Sequence, residues 1–247
     1  MVESEAICFE VASQVKSICD ELGITYIFKS SYKKANRTKL DSFTGIGDEK
    51  ALSILKKVKD ELQLPVLTDV HSVEEVALAA KYVDVLQIPA FLCRQTELLV
   101  AAGNSGLTVN IKKGQFLSAD AMQFAVEKVA SSGNKNIWLT ERGNSFGYGD
   151  LVVDFRNIPI MQSFGYPVIL DVTHAVQQPN QGIGVTGGTP QYISTLAKAG
   201  VAAGVDGLFI ETHPNPSEAL SDGSNMLALK DLEKLLIQIV AIRKAIS

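Results

Sequence analysis

The first candidates for chemical function in this sequence are lysine and arginine residues beside short apolar runs. Six basic side chains end such runs or follow them closely: Lys29, Lys34, Arg37, Arg94, Lys112 and Arg142. A partly buried cation needs an anionic partner, and the nearby acids are fewer than the cations: Asp69, Glu141 and Asp171. We therefore expect the remaining cations to bind phosphate or carboxylate groups, for which the forked guanidinium of arginine is well suited. Two other lysines, Lys33 and Lys113, better fit the ordinary interpretation of solvated loop charges.

A histidine and two acids form a second candidate group. His174, Glu211 and Asp222 offer the mixture of nitrogen and carboxylate donors that a divalent metal site needs. Because the three residues lie far apart in the sequence, ordinary hydrogen bonding is an equally open interpretation. His71 and His213 each lie beside a stronger candidate, and we expect both to have structural roles.

Alternating strands and helices are predicted to position these residues. Seven short apolar or β-branched runs indicate buried parallel strands, at residues 25–30, 65–70, 83–89, 107–112, 136–142, 167–173 and 206–213. Helices are predicted at residues 3–22, 48–62, 72–81, 94–104, 118–131, 156–164, 190–204 and 229–246. No linker or change in composition interrupts the series, so we expect one domain over residues 1–247.

This alternation is typical of an α/β fold, the (β/α)8 TIM barrel, in which each of eight parallel strands precedes its helix. The chain opens with a helix, so we expect strand 1 of the barrel to lie before Met1. The alternative is an open α/β sheet. Polar residues end all seven predicted strands, which favours one shared pocket at their carboxyl ends. Without its first strand the sheet would expose two edges, and we expect the chain as written to be poorly soluble or inactive.

The bulk composition narrows the class of protein. With 247 residues, 46% of them hydrophobic and 20% charged, the chain can bury a large core. Its net charge of −4 disfavours a nucleic-acid binder, which would carry a basic excess. The three cysteines form no C-x-x-C pair, and neither a signal peptide nor an apolar run of about 18 residues is evident. We expect a soluble cytoplasmic protein without nucleic-acid or membrane partners.

Six segments of the chain resemble the 3-deoxy-D-manno-octulosonate 8-phosphate synthase family: FKSSYKKANRTK, QIPAFLCRQT, NIKKGQF, LTERGNSFGYGDLVVDFR, DVTHAVQ and ETHPNPSEALSD. The resemblance runs from Glu3 almost to the carboxyl end. Its most specific part is K-A-N-R at residues 34–37, where the related heptulosonate-phosphate synthases have K-P-R-T. It implies a transferase that condenses phosphoenolpyruvate with D-arabinose 5-phosphate and water in lipopolysaccharide-precursor (Kdo) biosynthesis. The alternatives are a heptulosonate-phosphate synthase acting on erythrose 4-phosphate, a sialic-acid-type synthase of the same superfamily, and a truncated, non-catalytic barrel that binds sugar phosphates.

The resemblance also implies roles for individual residues. Those implied to be catalytic are Lys29, Lys34, Asn36, Asp69, Lys112, Arg142 and His174. Those implied to bind substrate are Ser31, Arg37, Thr38, Gln87, Pro89, Phe91, Arg94 and Gln115. Thr38 replaces the serine that the family usually has, which keeps the hydroxyl. Arg94 would reach into the sugar-phosphate site of a neighbouring subunit, which implies a homotetramer.

Metal use differs within this family. Members with a cysteine in the strand before the opening helix hold a divalent metal ion with that cysteine and the equivalents of His174, Glu211 and Asp222, whereas members with asparagine there need no metal. The deciding residue would precede Met1. The sequence SDGSNM at residues 221–226 looks more like the metal-dependent branch. The resemblance therefore implies one divalent metal ion, with the metal-free branch as the alternative.

Overall fold

Parallel strands alternate with α-helices along the chain. The computed structural model describes residues 1–36, 41–147, 149–178 and 187–246. The strands are β1 Phe28–Lys29, β2 Val66–Asp69, β3 Val85–Ile88, β4 Thr108–Lys112, β5 Ile137–Glu141, β6 Val168–Asp171 and β7 Gly207–Phe209. The helices are α1 Glu5–Leu22, α2 Asp48–Leu62, α3 Val73–Ala79, α4 Thr96–Asn104, α5 Met122–Ala130, α6 Asn157–Gln162, α7 Ile193–Ala202 and α8 Leu229–Ile246. No helix among the described residues is long and apolar enough to cross a membrane.

The seven strands form one sheet whose spatial order is their order in the chain, β1 to β7. Phe28 pairs with Val66 at one end of this order, and Phe209 pairs with Asp171 at the other, in parallel register. Within the described residues no strand precedes α1, so eight helices accompany seven strands. This is the arrangement of a (β/α)8 barrel without its first strand, and the predicted fold class is confirmed.

The described residues form two compact units, each with its own hydrophobic core. Unit 1 comprises Met1–Ile111 and Phe124–Ile137. Its fully buried side chains include Leu52, Leu55, Leu86, Ile88 and Leu99. Unit 2 comprises Lys112–Gln123 and Trp138–Ser247. Its fully buried side chains include Leu139, Ile158, Met161, Leu170 and Val172. The expectation of one domain over residues 1–247 stays a prediction.

Several predicted elements are shorter in the structure. The predicted strand at residues 206–213 ends at Phe209, because the amide of Glu211 donates to the side chain of Thr173 rather than to a neighbouring strand. Thr212–His213 then pairs with Leu227–Ala228. The predicted helix at residues 118–131 begins only at Met122, after a turn in which the hydroxyl of Ser118 accepts from the amide of Ala121.

Two short antiparallel ribbons were not predicted. Asn144–Phe146 pairs with Asp150–Val152 directly after β5, and Gln177–Gln178 pairs with Gly187–Gly188 after β6. Both follow the carboxyl end of a strand, the end at which the functional side chains of a barrel are carried. The first ribbon holds the loop after β4 in place through contacts described below.

Candidate active site

In unit 1, the ends of β1 and β2 bring three predicted site residues together. The Lys29 Nζ atom lies 2.9 Å from Ser31 Oγ and 3.4 Å from Asp69 Oδ1. Ser31 and Asp69 are buried. Burial alone would raise the pKa of Asp69, but the positive charge of Lys29, followed by His71 and Lys34, holds that pKa well below its usual value. Asp69 is therefore ionised and balances the charge of Lys29.

A chain of alternating charges continues from Asp69. His71 Nε2 lies 3.2 Å from Asp69 Oδ2, and His71 Nδ1 lies 2.9 Å from Glu75 Oε2. Lys33 Nζ lies 2.5 Å from Glu75 Oε1 and 3.3 Å from Asp48 Oδ2. The expectation that Lys33 is a solvated loop charge is wrong, since the pull of two carboxylates keeps its ammonium paired and partly buried. The structural role expected for His71 agrees with its two carboxylate partners.

The start of α3 positions Glu75 for this contact. Ser72 Oγ accepts a hydrogen bond from the backbone N–H of Glu75, which caps the helix. The carboxylate of Glu75 in turn accepts from the backbone N–H of His71 at 2.8 Å. Although burial opposes it, hydrogen bonding by His71 and Lys33 lowers the pKa of Glu75 to about 2. The same carboxylate thus orders the backbone before the helix and the ring of His71.

Three more predicted substrate-binding residues follow β3 or lie within it. Gln87 is buried, and its Oε1 atom lies 3.5 Å from the amide nitrogen of Asn110 on β4. Pro89 is buried as well. Phe91 is 42% exposed, and its ring stacks on the ring of His71, with centroids 6.4 Å apart. These positions place a partly open aromatic surface beside the Asp69–His71 contact.

Three further predicted residues of unit 1, Lys34, Asn36 and Arg94, lie on loops. Lys34 is partly buried, and its backbone N–H donates to Thr44 O at 2.9 Å. Asn36 and Arg94 are exposed. Arg37 and Thr38 lie outside the described residues. The catalytic and substrate-binding roles of all these residues stay predictions.

In unit 2, Asp171 is the carboxylate on which two predicted catalytic residues converge. Lys112 Nζ lies 2.5 Å from Asp171 Oδ2, and His174 Nδ1 lies 2.7 Å from the same oxygen. Lys112 Nζ also lies 3.8 Å from the centre of the Phe209 ring, a cation–π geometry. Burial would raise the pKa of Asp171, but His174 and Lys112 hold it far below its usual value. The buried charge of Lys112 is therefore compensated before any ligand binds.

The buried guanidinium of Arg142 keeps one nitrogen for another partner. Its Nη2 atom donates to His174 O at 3.3 Å and to Gln177 Oε1 at 2.9 Å. Its Nη1 atom is buried without a hydrogen-bond partner among the residues that the structure describes. Burial lowers the pKa of Arg142, yet an arginine stays protonated in proteins. A buried, partly unpaired guanidinium is suited to binding a carboxylate or phosphate.

The predicted metal ligands meet in unit 2. One donor atom from each of His174, Glu211 and Asp222 can be chosen so that all lie within 4.8 Å of one another. Asp171 holds the Nδ1 side of His174, which leaves Nε2 facing Glu211 Oε1 at 3.7 Å. A carboxylate behind the ligating histidine is typical of metal sites. Asp222 adopts a left-handed backbone with φ 53°, a conformation often found at functional positions. The donors and their geometry fit one divalent ion.

Lys113, like Lys33, was expected to be a solvated loop charge, and that expectation is wrong. It is fully buried, and its Nζ atom lies 3.3 Å from Glu141 Oε1, at the end of β5. Its backbone N–H donates to Thr140 O at 2.8 Å, so the pairing of β4 with β5 extends past Lys112. Because successive side chains of a strand point to opposite faces, Lys112 and Lys113 enter different surroundings. The alternation of side chains along a strand was therefore the feature of the sequence that could have indicated a buried Lys113. Gln177, the partner of Arg142, carried no comparable signal.

The carboxylates around His71 give a prediction about pH. Burial would lower the pKa of His71, but hydrogen bonds to Asp69 and Glu75 raise it from 6.5 to about 9. A raised pKa means that the charged ring stabilises the fold fully below about pH 6.5, and that this contribution is lost as the pH rises through about 9. We expect His71→Asn to lower the free energy of unfolding by roughly 3 kcal/mol at pH 6 and by much less at pH 10. Urea unfolding across this range measures the difference, and a pH-independent difference would contradict the ion-paired state.

Comparison with known proteins identifies the family of the chain. The family model described as the DAHP synthetase I family matches residues 1–247. A 2-dehydro-3-deoxyphosphooctonate aldolase of Koribacter versatilis is 54% identical over 250 residues, which cover 100% of this chain and 90% of the relative. The protein of that name from Cyanothece sp. is 53% identical over 247 residues, with the same coverage. That of Desulfotalea psychrophila is 49% identical over 245 residues, covering 99% and 88%. The chain therefore belongs to the DAHP synthetase I family.

Proposed function

We propose that this chain is a transferase that joins phosphoenolpyruvate to D-arabinose 5-phosphate, with water, to give 3-deoxy-D-manno-octulosonate 8-phosphate and inorganic phosphate. Relatives about half identical over nearly the whole chain are named for a 2-dehydro-3-deoxyphosphooctonate. An eight-carbon phosphorylated keto acid is the sum of a three-carbon enol acid and a five-carbon sugar phosphate. The observation that carries the proposal is the buried guanidinium of Arg142, whose Nη1 atom has no hydrogen-bond partner among the described residues and is suited to the anionic groups of the enol acid.

The reaction would proceed by addition at both carbons of the enol double bond. Carbon 3 forms a bond with the aldehyde carbon of the sugar, and the aldehyde oxygen takes up a proton. Water adds to carbon 2, and phosphate leaves from the tetrahedral intermediate to give the ketone. In this proposal Arg142 and Lys112 of unit 2 hold the carboxylate and phosphate groups and stabilise the charge that develops on them. The other residues that we propose to be catalytic are Lys29, Lys34, Asn36 and Asp69 of unit 1 and His174 of unit 2.

The choice of sugar is the direct test. We expect purified protein, supplied with phosphoenolpyruvate, to release inorganic phosphate at a higher kcat/KM with arabinose 5-phosphate than with erythrose 4-phosphate. The opposite order would favour the heptulosonate-phosphate reaction. Binding of phosphoenolpyruvate without phosphate release with either sugar would indicate a non-catalytic barrel.

The same phosphate-release assay tests the role of Arg142 in the site. Arg142→Ala should lower kcat/KM about 100-fold, since one charge-stabilising contact is worth roughly 3 kcal/mol in a water-excluded site. The matched control is Arg156→Ala in the same unit, because Arg156 has a side chain that is 85% exposed and pairs only with Asp154 among the described residues. The control should keep the activity of the unaltered protein. Equal losses in the two variants would contradict the role of Arg142.

We also propose that His174, Glu211 and Asp222 hold one divalent metal ion, which would supply positive charge for orienting a substrate oxygen. The support is the convergence of their donor atoms and the carboxylate of Asp171 behind His174. After treatment with a chelator, equilibrium dialysis with Mn²⁺ should give one ion per chain. His174→Gln should weaken this binding at least about 100-fold. Absence of Mn²⁺ binding, or binding that His174→Gln leaves unchanged, would overturn the assignment.

Finally, we propose a cytoplasmic homotetramer. The support for a contact with another subunit is that Arg94 and Phe91, on the loop after β3, are both exposed. A homotetramer should sediment at about four times the chain mass of 26.6 kDa. Arg94→Ala should raise the KM for arabinose 5-phosphate while leaving the affinity for phosphoenolpyruvate unchanged. A monomer in sedimentation equilibrium at assay concentration would refute the shared site.

A further inference from the structure

Unit 2 contains a buried polar cluster that the proposed reaction does not use. It consists of Lys113, Glu141, Asn144 and Asn157, and is called the Lys113 cluster below. We propose that the Lys113–Glu141 ion pair positions the phosphoenolpyruvate site by fixing the backbone that carries Arg142 and the loop that carries Gln115. Neither member of the pair is assigned a contact with substrate. This inference rests on the proposed function, because it gives a role to residues that hold the proposed anion-binding groups in place.

Glu141 folds back over the backbone that follows it. Its Oε1 atom accepts from the backbone N–H groups of Arg142 at 2.8 Å and Gly143 at 2.6 Å. Its Oε2 atom accepts from the side-chain amide of Asn157 at 2.8 Å. Gly143 has a φ of 86°, in the left-handed region that favours glycine. Two consecutive amides held by one buried carboxylate fix the direction in which the chain leaves β5, and with it the direction of the Arg142 side chain.

Lys113 also holds the loop after β4 in place. Its ammonium donates to Asn144 Oδ1 at 2.8 Å and to Leu117 O at 3.3 Å. An ammonium group only donates, so the oxygen of the Asn144 amide must face Lys113. The amide nitrogen is thereby directed to Gln115 O at 3.2 Å and Leu117 O at 2.7 Å. The position of residues 114–117 therefore depends on a lysine that is fully buried beneath them.

The energetics favour a positioning role over simple stabilisation. Taking an ion pair out of water costs about as much as its attraction returns, so a buried pair is a weak source of stability. Its hydrogen bonds are directional, however: Glu141 accepts from the backbone N–H of Arg142, and Lys113 donates to Leu117 O in the loop that carries Gln115. A displacement of about 1 Å in a binding group can cost about 100-fold in rate. The Lys113 cluster therefore acts on the segments whose precise placement matters most for binding phosphoenolpyruvate.

Two substitutions distinguish a positioning role of the Lys113–Glu141 pair from an effect of its charges on phosphoenolpyruvate binding. Lys113→Met removes a positive charge, and Glu141→Gln removes a negative one, each with little change in side-chain volume. If the pair acts only through its field, the first change weakens phosphoenolpyruvate binding and the second strengthens it. If the pair acts by position, both weaken it, and we expect the Kd measured by calorimetry to rise at least tenfold in each. Tighter binding by Glu141→Gln would overturn the proposal.

A control at the opposite end of β5 separates position from general stability. The buried Asn134 donates to Gly103 O at 3.2 Å and Leu107 O at 2.8 Å, and it accepts from the backbone N–H of Asn136. Asn134→Ala should lower the Tm by about 5 °C and leave the Kd of phosphoenolpyruvate unchanged. If Lys113→Met lowers the Tm to the same extent but keeps the Kd within twofold of the unaltered protein, the cluster is only structural and the proposal fails.

A third variant tests the proposal even if Lys113→Met or Glu141→Gln does not fold. Asn144 is only partly buried, and Asn144→Leu leaves the ion pair intact while it removes the link to residues 114–117. We expect this variant to lose at least tenfold in kcat/KM at an unchanged Tm, and an unaltered kcat/KM would refute the link. An unaltered protein that binds phosphoenolpyruvate without turnover would sink the proposed reaction, while the Kd ratios still test the cluster. An unaltered protein that does not bind phosphoenolpyruvate would overturn both.

Discussion

The structure depends on one constraint, which is that a cation buried at the end of a strand must be neutralised. Removing an ammonium or guanidinium group from water costs several kcal/mol unless a carboxylate or good hydrogen bonds replace the solvent. In unit 1, Asp69 faces Lys29. In unit 2, Asp171 faces Lys112 and Glu141 faces Lys113. Each acid lies at the carboxyl end of its own strand, so the pairing is set by the register of the sheet.

Satisfying this constraint also orders the backbone. Asp171 accepts from the backbone N–H groups of Thr173 and His174, and Glu141 accepts from those of Arg142 and Gly143. In both cases one carboxylate neutralises a lysine at or directly after the end of β4 and fixes the turn that follows its own strand. The side chains of His174 and Arg142 are carried by these turns. Charge compensation and geometric precision therefore come from the same atoms.

The sequence was sufficient for the features that depend on local pattern. Apolar runs separated by helical segments indicated the alternation of seven strands and eight helices, because burial on both faces of a parallel strand imposes such a run. His174, Glu211 and Asp222 could be grouped by the type of atom they donate and by the resemblance to the synthase family, but not by their spacing in the sequence. Their approach to within 4.8 Å depends on three separate loops, which no local pattern encodes.

The errors of sequence interpretation have a physical origin as well. Lys33 and Lys113 were expected in solvent because a lone lysine in a loop is usually hydrated. Their burial is decided by partners distant in sequence, Glu75 for one and Glu141 for the other. The ribbon that begins at Asn144 was missed because it is short and partly exposed, which leaves little apolar pattern. Ion pairing with a carboxylate that is distant in the sequence therefore overrides the preference of a lone lysine for solvent.

Compensated cations also determine how an anion can be recognised. Lys112 and Lys113 already have carboxylate partners, so neither adds much net charge to attract a ligand from a distance. They provide donors that are held in place and desolvated while the protein folds. A ligand then binds to groups that need little further reorganisation, which is the condition under which electrostatic stabilisation of a transition state is most effective. In unit 2 the guanidinium of Arg142 keeps a buried Nη1 atom without a hydrogen-bond partner among the described residues, and this arrangement leaves that donor for the ligand.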